Sequence, residues 1–351
     1  MKTYRVAFCG NNNTGGLEQF YRRILQGRAN LEPSDNPDFV FCGIFDQGNS
    51  FLKYGDKPIR IYFYTENVVP DFNLFDYAFG FHDLSFGARH LRIPYYYISY
   101  PFDHFTKTES CGEMERLLGK NNSKKPVKLA HRKFCNFIYS NSSCGNMAGL
   151  RMDFALKLMK YKHVDCPGKV LNNMSFPRTP HGDWVSEKLD FLGNYKFTIA
   201  FENSDTPGYT TEKLIHPLLA NSVPIYFGNT DVAKDGFNPR AFINGKEFRD
   251  LDALAEYVIM LDNNDKEYMK ILHQSPLSLK SLPDWDKKVA DFIMNIFEHG
   301  QKYADTRQPL SPFHVLQRKL SMYQGGFLVK FIALFIPIRK WRRNFRSCFG
   351  I

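Results

Sequence analysis

The sequence lacks most of the signals that announce a particular chemistry. Its seven cysteines (9, 42, 111, 135, 144, 166 and 348) are odd in number and scattered, with no CxxC or Cys/His spacing of a metal site. A reducing compartment fits this usage, and Cys9, Cys42 and Cys135, set within apolar runs, read as buried thiols. There is no Walker A loop, no GxGxxG after a strand, no HExxH and no GxSxG. Internal repeats and low-complexity segments are absent too. The opening stretch MKTYRVAFCG has too short an apolar run for a signal peptide and reads as a first strand.

Charge is also missing where a nucleic-acid groove would need it. The net charge is +10, yet six Lys/Arg and no acid fall between Phe327 and Ile351, leaving only +4 for the rest. The excess is thus largely a tail property, and nucleic acid is not expected as a partner. The tail, GGFLVKFIALFIPIRKWRRNFRSCFGI, carries an apolar part interrupted by Lys330 and Pro337. That part is short of the roughly 20 residues that cross a bilayer. With Trp341, Phe345 and the basic cluster, it reads as an amphipathic anchor for an anionic membrane surface. The expectation is a cytoplasmic protein held peripherally on the inner face of the cytoplasmic membrane.

What the chain has in excess is aromatic residues, 16% of the total with 33 Phe and 19 Tyr. These suit packed cores first, and stacking surfaces for sugars or bases second. A length of 351 residues favours two domains. TYRVAFCG, DFVFCGIF, IRIYFYT and DYAFGF are short apolar runs, and TGGLEQFYRRILQG between the first two has helical spacing ending in Gly. A charged stretch around NNSKKP reads as a linker, after which KFCNFIYSN, MAGLRMDFALKLMKY, KFTIAF, TEKLIHPLLAN and SVPIYFG resume the strand–helix alternation. LDALAEYVIMLDNNDKEYMKIL is helical by period, and DWDKKVADFIMNIFEHG is a further helix stopped by Gly300. Parallel sheets with crossover helices follow. The expected boundaries are 1–125 and 126–300 for two α/β Rossmann-like domains, and 301–351 for linker and tail.

The candidate site residues cluster after strands. In KFTIAFENSDTPGYTTEKL, a strand runs out at Glu202-Asn203 and a helix starts at Thr210 or Thr211. A helix N-terminus offers free N–H groups to an anion, and Lys213 in the first turn adds a full charge there. That charge opposes the helix dipole, so a bound diphosphate would account for it. A simple Thr211 cap with Lys213 in solvent is the plain alternative. Arg151 stands in a similar place, near a helix start after the small-residue loop SNSSCGNMAG, with a planar fork suited to phosphate. Glu66, ending IRIYFYTEN, lies where a general base facing a cleft between domains would sit. His82, Asp83 and His90 are weaker candidates.

Together these residues carry a resemblance. YKFTIAFENSDTPGYTTEKLIHPLLANSVPIYFGN resembles the signature block of the α-1,3/1,4-fucosyltransferase family. YFYTENVVPDFNLFDYAFGFHDL resembles the N-terminal-domain segment of its bacterial members, and reads TEN where those read TGEN. The likeness spans roughly residues 62–244, with SNSSCGNMAGLR between the two blocks. It implies an α/β fold of the GT-B kind, two facing Rossmann-like domains with parallel sheets. It also implies inverting transfer of L-fucose from GDP-fucose to a hydroxyl of a glycan acceptor, in α-1,3 or α-1,4 linkage. On this resemblance Arg151 and Lys213 bind the diphosphate, and Glu212 contacts the ribose or fucose. Asn203 and Tyr209 line the donor site, Glu66 is the base, and Tyr64 lies beside it on the acceptor side. No metal cofactor is required, although stimulation by a divalent ion such as Mn or Mg stays open. A GT-B transferase for another nucleotide sugar, and a non-catalytic glycan- or membrane-binding protein, are the competing readings.

Overall fold

The computed structural model describes residues 1–10, 16–44, 46, 50–98, 112–120, 129–142, 147–179 and 183–305. The tail expected to bind membrane falls on 306–351, outside the described residues. No helix among the described residues is long and apolar enough to cross a membrane. The chain divides into two units, one of residues 1–110 with 283 onward, the other Cys111–Leu282.

Among the described residues, the first unit is built on six parallel strands. In chain order come β1 (Lys2–Cys9), α1 (Gly16–Ile24), β2 (Ala29–Pro33), β3 (Phe39–Gly43), β4 (Ile59–Phe63), β5 (Tyr77–Gly80), β6 (His90–Arg92) and the short α2 (Tyr95–Ile98). The sheet order is β2-β1-β3-β4-β5-β6, every neighbour parallel. Leu17, Phe20, Tyr21 and Ile24 make the buried stripe of α1. β2 carries no apolar run in the sequence because it is an edge strand, burying only Ala29 and Leu31. The aromatic excess goes into this core. Tyr21 stacks on Phe41 at 3.9 Å, and Phe63 on Phe79 at 4.6 Å.

The second unit contains α3 (Gly112–Lys120), β7 (Lys133–Asn136), α4 (Ala148–Met159), β8 (Val164–Asp165), α5 (Trp184–Leu192) and β9 (Tyr195–Phe201). Beyond these come α6 (Glu212–Leu219), β10 (Val223–Phe227), β11 (Ile243–Asn244), α7 (Leu251–Asp262) and α8 (Asp265–Leu272). Its sheet order is β11-β10-β9-β7-β8, again all parallel. β9 is central and, apart from Lys196, wholly buried, as a parallel strand covered on both faces should be. The chain steps from β7 outward to β8, then returns to the other side of β7 as β9. The strand order therefore reverses between β7 and β9, and in such sheets ligands sit beyond the carboxyl ends at that reversal. The single helix expected over residues 251–272 is two, α7 and α8. Asn264 breaks it by capping α8, its side chain accepting from the Glu267 N–H at 3.2 Å.

The expected domain boundaries need correction at both ends of the second unit. Its first helix, α3, packs on α6 and belongs there although it precedes residue 126. The last helix, α9 (Trp285–His299), belongs to the first unit. Its buried face of Val289, Ala290, Ile293, Ile296 and Phe297 fits that sheet, with Phe297 stacked on Tyr4 at 4.2 Å. Asp286 takes the Arg23 guanidinium at 3.1 Å, and the Trp285 indole N–H donates to Tyr96 at 2.9 Å. Buried Asp76 then pins the chain beyond α9. Its carboxylate accepts from the N–H groups of Arg60, Tyr303 and Ala304 at 2.8, 2.7 and 2.9 Å. Losing an acceptor shared by three donors, two of them buried, costs about 2–3 kcal/mol. Asp76→Ala should lower the urea-unfolding midpoint accordingly, and an unchanged midpoint would show that the returning chain is not held this way.

Candidate functional site

The reversal between β7 and β9 is where the site assembles. The chain leaving β9 carries Glu202 and Asn203, and the chain leaving β7 carries Tyr139 and Asn141. Arg151 lies in the first turn of α4, on the same stripe as Ala148, Phe154, Ala155 and Leu158, and is fully buried. A cation on the apolar stripe of a helix requires partners. The guanidinium donates to Asn203 Oδ1 at 2.7 Å and to the Asn141 carbonyl, and lies over the Tyr139 ring at 4.3 Å. Tyr139 is fixed in turn by its hydroxyl, which donates to the Phe201 carbonyl at 2.9 Å.

Glu202 was not singled out as a site residue in the sequence, although it is an acid continuing an apolar strand. Its carboxylate is fully buried. It accepts from the Thr211 N–H and from the Thr211 hydroxyl, both at 2.7 Å. Thr211 is the N-cap of α6, and its oxygen accepts from the Lys213 N–H at 3.3 Å. The expected helix start thus holds, and the carboxylate behind it fixes where the start lies. Gly228 makes room for this acid, since a Cβ there would meet Glu202 Cγ at 2.5 Å. The loop between Glu202 and Thr211 is ordered by Asn229. Its Oδ1 accepts from the Gly208 N–H at 3.0 Å, and its amide donates to Thr210 at 2.9 Å. Gly208 has φ +88°, a left-handed conformation that favours glycine. Tyr209 is buried, only 4% exposed, and the Tyr226 hydroxyl donates to its carbonyl at 3.5 Å.

Lys213 is not in open solvent. Its ammonium donates to Glu212 at 3.0 Å and to the Thr211 hydroxyl at 3.2 Å, with Glu202 at 3.7 Å. Burial works against its charge, but Glu212 and Glu202 outweigh burial and raise its pKa above the usual lysine value. Burial likewise works against the Glu212 carboxylate; Lys213 and then Lys188 overcome it and lower its pKa. The Glu212 side chain is 37% exposed, so water screens part of this effect. Glu202 goes the other way. Desolvation pushes it up to about 7, with Lys213 opposing and Glu212 adding to the rise. Behind this group, His216 Nε2 on α6 lies 3.1 Å from Glu113 Oε1 on α3, both side chains nearly buried.

The first-unit candidates are placed less uniformly. Glu66 lies three residues past β4, exposed, at the strand end expected for it. Tyr64 is wholly buried, so its ring offers no surface to an acceptor; the expectation that it lines that side is corrected. Its hydroxyl pairs with His90 Nε2 at 2.9 Å and accepts from the His82 N–H at 3.2 Å. His82 Nε2 pairs with Asn67 Oδ1 at 3.0 Å, beside Glu66. Desolvation lowers the pKa of both imidazoles to about 4, so both are uncharged at neutral pH. Their hydrogen bonds to Tyr64 and Asn67 brace the strand end.

Glu202 makes a measurable signature. Its folded pKa of about 7 exceeds the ordinary 4.5, so the folded state holds the proton more tightly than the unfolded chain. Its contribution to stability is therefore full below pH 4.5 and is lost as pH rises toward 7. His82 and His90, with lowered pKa values, act in the opposite sense over the same window, so the signature is a difference. Across it, the urea-unfolding stability of Glu202→Gln relative to wild type should rise with pH by the equivalent of about one proton, and an identical pH dependence in the two proteins would count against the assignment.

Known proteins resemble this chain in sequence and in fold. Residues 130–304 match the family model for the C-terminal part of glycosyltransferase family 10 (fucosyltransferase), and residues 6–100 match the N-terminal domain of alpha-(1,3)-fucosyltransferase FucT. Alpha-(1,3)-fucosyltransferase FucT of Helicobacter pylori is 31% identical over 316 residues, 80% of this chain and 62% of that protein. Alpha-(1,3)-fucosyltransferase B of Drosophila melanogaster is 34% identical over 165 residues, 44% of this chain and 37% of that one. The chain thus spans less than two thirds of the length of either relative. A crystal structure of an alpha1,3-fucosyltransferase with GDP superposes with a TM-score of 0.63 at 28% identity, covering 87% of this chain and 93% of that one. A second, with GDP-fucose, gives 0.62 at 26% identity, covering 87% of this chain and 93% of that one. With the two family models matching both units, and the FENS and TEK segments forming one hydrogen-bonded site, the chain belongs to glycosyltransferase family 10, the fucosyltransferases.

Proposed function

We propose that the protein transfers L-fucose from GDP-fucose to a hydroxyl of a glycan acceptor, with inversion at the anomeric carbon. The observation that carries this reading is the pair of cations, Arg151 and Lys213, held after β7 and β9 beside the start of α6. A departing GDP gathers negative charge as the sugar–phosphate bond breaks, and cations and helix N–H groups fixed beforehand stabilise that charge without reorganising. The sugar passes through an oxocarbenium-like state. The acceptor oxygen attacks the anomeric carbon from the face opposite the phosphate, its proton passes to Glu66, and the bond's electron pair stays on GDP. Glu212 contacts the ribose or fucose, while Asn203 and Tyr209 shape the donor site. The reading requires no resident metal. GDP-fucose as donor is supported by the relatives crystallised with GDP and with GDP-fucose.

The acceptor class we favour is GlcNAc or glucose in a lactosamine-type or surface-polysaccharide glycan, joined in α-1,3 or α-1,4 linkage. Assays with GDP-fucose, GDP-mannose and a UDP-sugar against such acceptors, followed by linkage analysis, test it. Fucose transfer alone is expected, and turnover of another nucleotide sugar in its place would replace the reading. Glu66→Gln should cut transfer by about 10²–10⁴-fold while GDP binding stays intact. Lys213→Ala and Arg151→Ala should weaken GDP binding itself by at least about tenfold, and unchanged calorimetric affinity would refute their role.

The basic tail adds peripheral attachment to the inner face of the cytoplasmic membrane, a reading that rests on the sequence. A chain ending at Gly325 should lose co-sedimentation with anionic vesicles that the full chain retains. Equal co-sedimentation of both would rule the tail out as the anchor.

A further inference from the structure

Lys188 stands apart from every other charged group of the donor site. It lies on α5, which packs against α6, and it is only partly exposed. It lines one cavity together with Lys213, Tyr139, Thr198 and Pro217. Among the described residues its ammonium has no hydrogen bond and no ion pair, although three carboxylates lie near enough to act on it. Burial lowers its pKa; Glu212, Glu113 and Glu202 oppose that, and Lys213 adds to it. An ammonium carries three donors, and those of Lys188 are taken by no protein group among the described residues.

The neighbouring charges suggest what that ammonium serves. In this structure a single ammonium, Lys213, serves both Glu212 and Glu202. Glu202 cannot be dispensed with, because it anchors the Thr211 cap. Under the donor reading above, on which this inference rests, Lys213 turns its charge to the diphosphate. Two carboxylates would then stand beside an incoming anion with their counter-ion withdrawn. The groups facing them are Lys213 and His216 on α6, Glu113 on α3, Tyr139 after β7 and Lys188 on α5. Lys188 is the cation among these that is not already engaged.

We propose that Lys188 is a positioning residue for the donor site, the counter-ion that Glu212 and Glu202 keep when Lys213 engages the diphosphate. It does not touch the donor. It favours the ionised form of both acids, so that binding an anion draws fewer protons onto the carboxylates.

The test is titration calorimetry of GDP into the full chain, in buffers of different ionisation enthalpy, for wild type, Lys188→Met and Lys188→Arg. Met keeps the apolar stem and removes the charge. GDP affinity should fall by about tenfold in the Met variant. Its binding should take up about one proton more than wild type near neutral pH, and Arg should restore both. The melting temperature without GDP should stay within about 2 °C of wild type, since no bond of Lys188 is lost. A Met variant with wild-type affinity and proton count overturns the inference while leaving the donor reading intact. A fall in affinity that comes with a large loss of melting temperature and no extra proton makes Lys188 merely structural, and also overturns it. Wild type that binds no GDP overturns the donor reading, and this inference with it.

Discussion

A buried carboxylate sets the geometry of the second unit. Glu202 ends the central strand with no solvent to share its charge, and both of its oxygens are taken by Thr211. That contact fixes where α6 begins, and thereby where Lys213 and the first N–H groups of the helix stand. It also forces residue 228 to be glycine, because a side chain would occupy the acid's space. A neutral acceptor could cap the same helix, but it would not attract Lys213 into the first turn against the helix dipole. The lysine that looks misplaced in the sequence is explained by the acid at the end of the preceding strand that draws it in.

The same economy governs Arg151. Its stripe on α4 is otherwise apolar, and its partners, Asn203 and Asn141, follow two different strands. Arginine thereby joins the carboxyl ends of β7 and β9 at the point where the strand order reverses. Lys213 is held by side chains and Arg151 by a side chain and a backbone carbonyl, contacts that an arriving anion would displace or share. Under the proposed donor reading, the affinity of such a site for an anion depends on what the acids keep once a cation is redirected.

In the first unit the organising constraint is aromatic packing closed by a returning helix. Tyr4, Phe39 and Phe41 present rings on the sheet that Phe297 of α9 covers. Asp76 then ties down residues 303 and 304. The aromatic excess of the sequence is spent chiefly on cores of this kind, and Tyr64 belongs to that use rather than to a binding surface.

Much of this was legible in the chain itself. Apolar runs ending in Gly or polar residues marked the parallel strands, because buried parallel strands have no polar face to hide. The helix start at Thr211 and the positions of Lys213, Arg151 and Glu66 just after strands followed from local chain chemistry. The edge strand β2 was not legible, since an edge buries too little to leave an apolar run, and neither was the break between α7 and α8, where periodicity continues across the cap. The sequence by itself determined the fold class, the strand ends and the residue types gathered there, because these depend on periodicity and near neighbours in the chain. Only the tertiary structure decided that Glu202 is the partner of the Thr211 cap, that Lys188 stands beside the same acids without a bond among the described residues, and that α9 belongs to the first unit. Those outcomes rest on burial and on contacts between segments far apart in the chain, and no local pattern encodes the desolvation that makes a charge seek one partner over another.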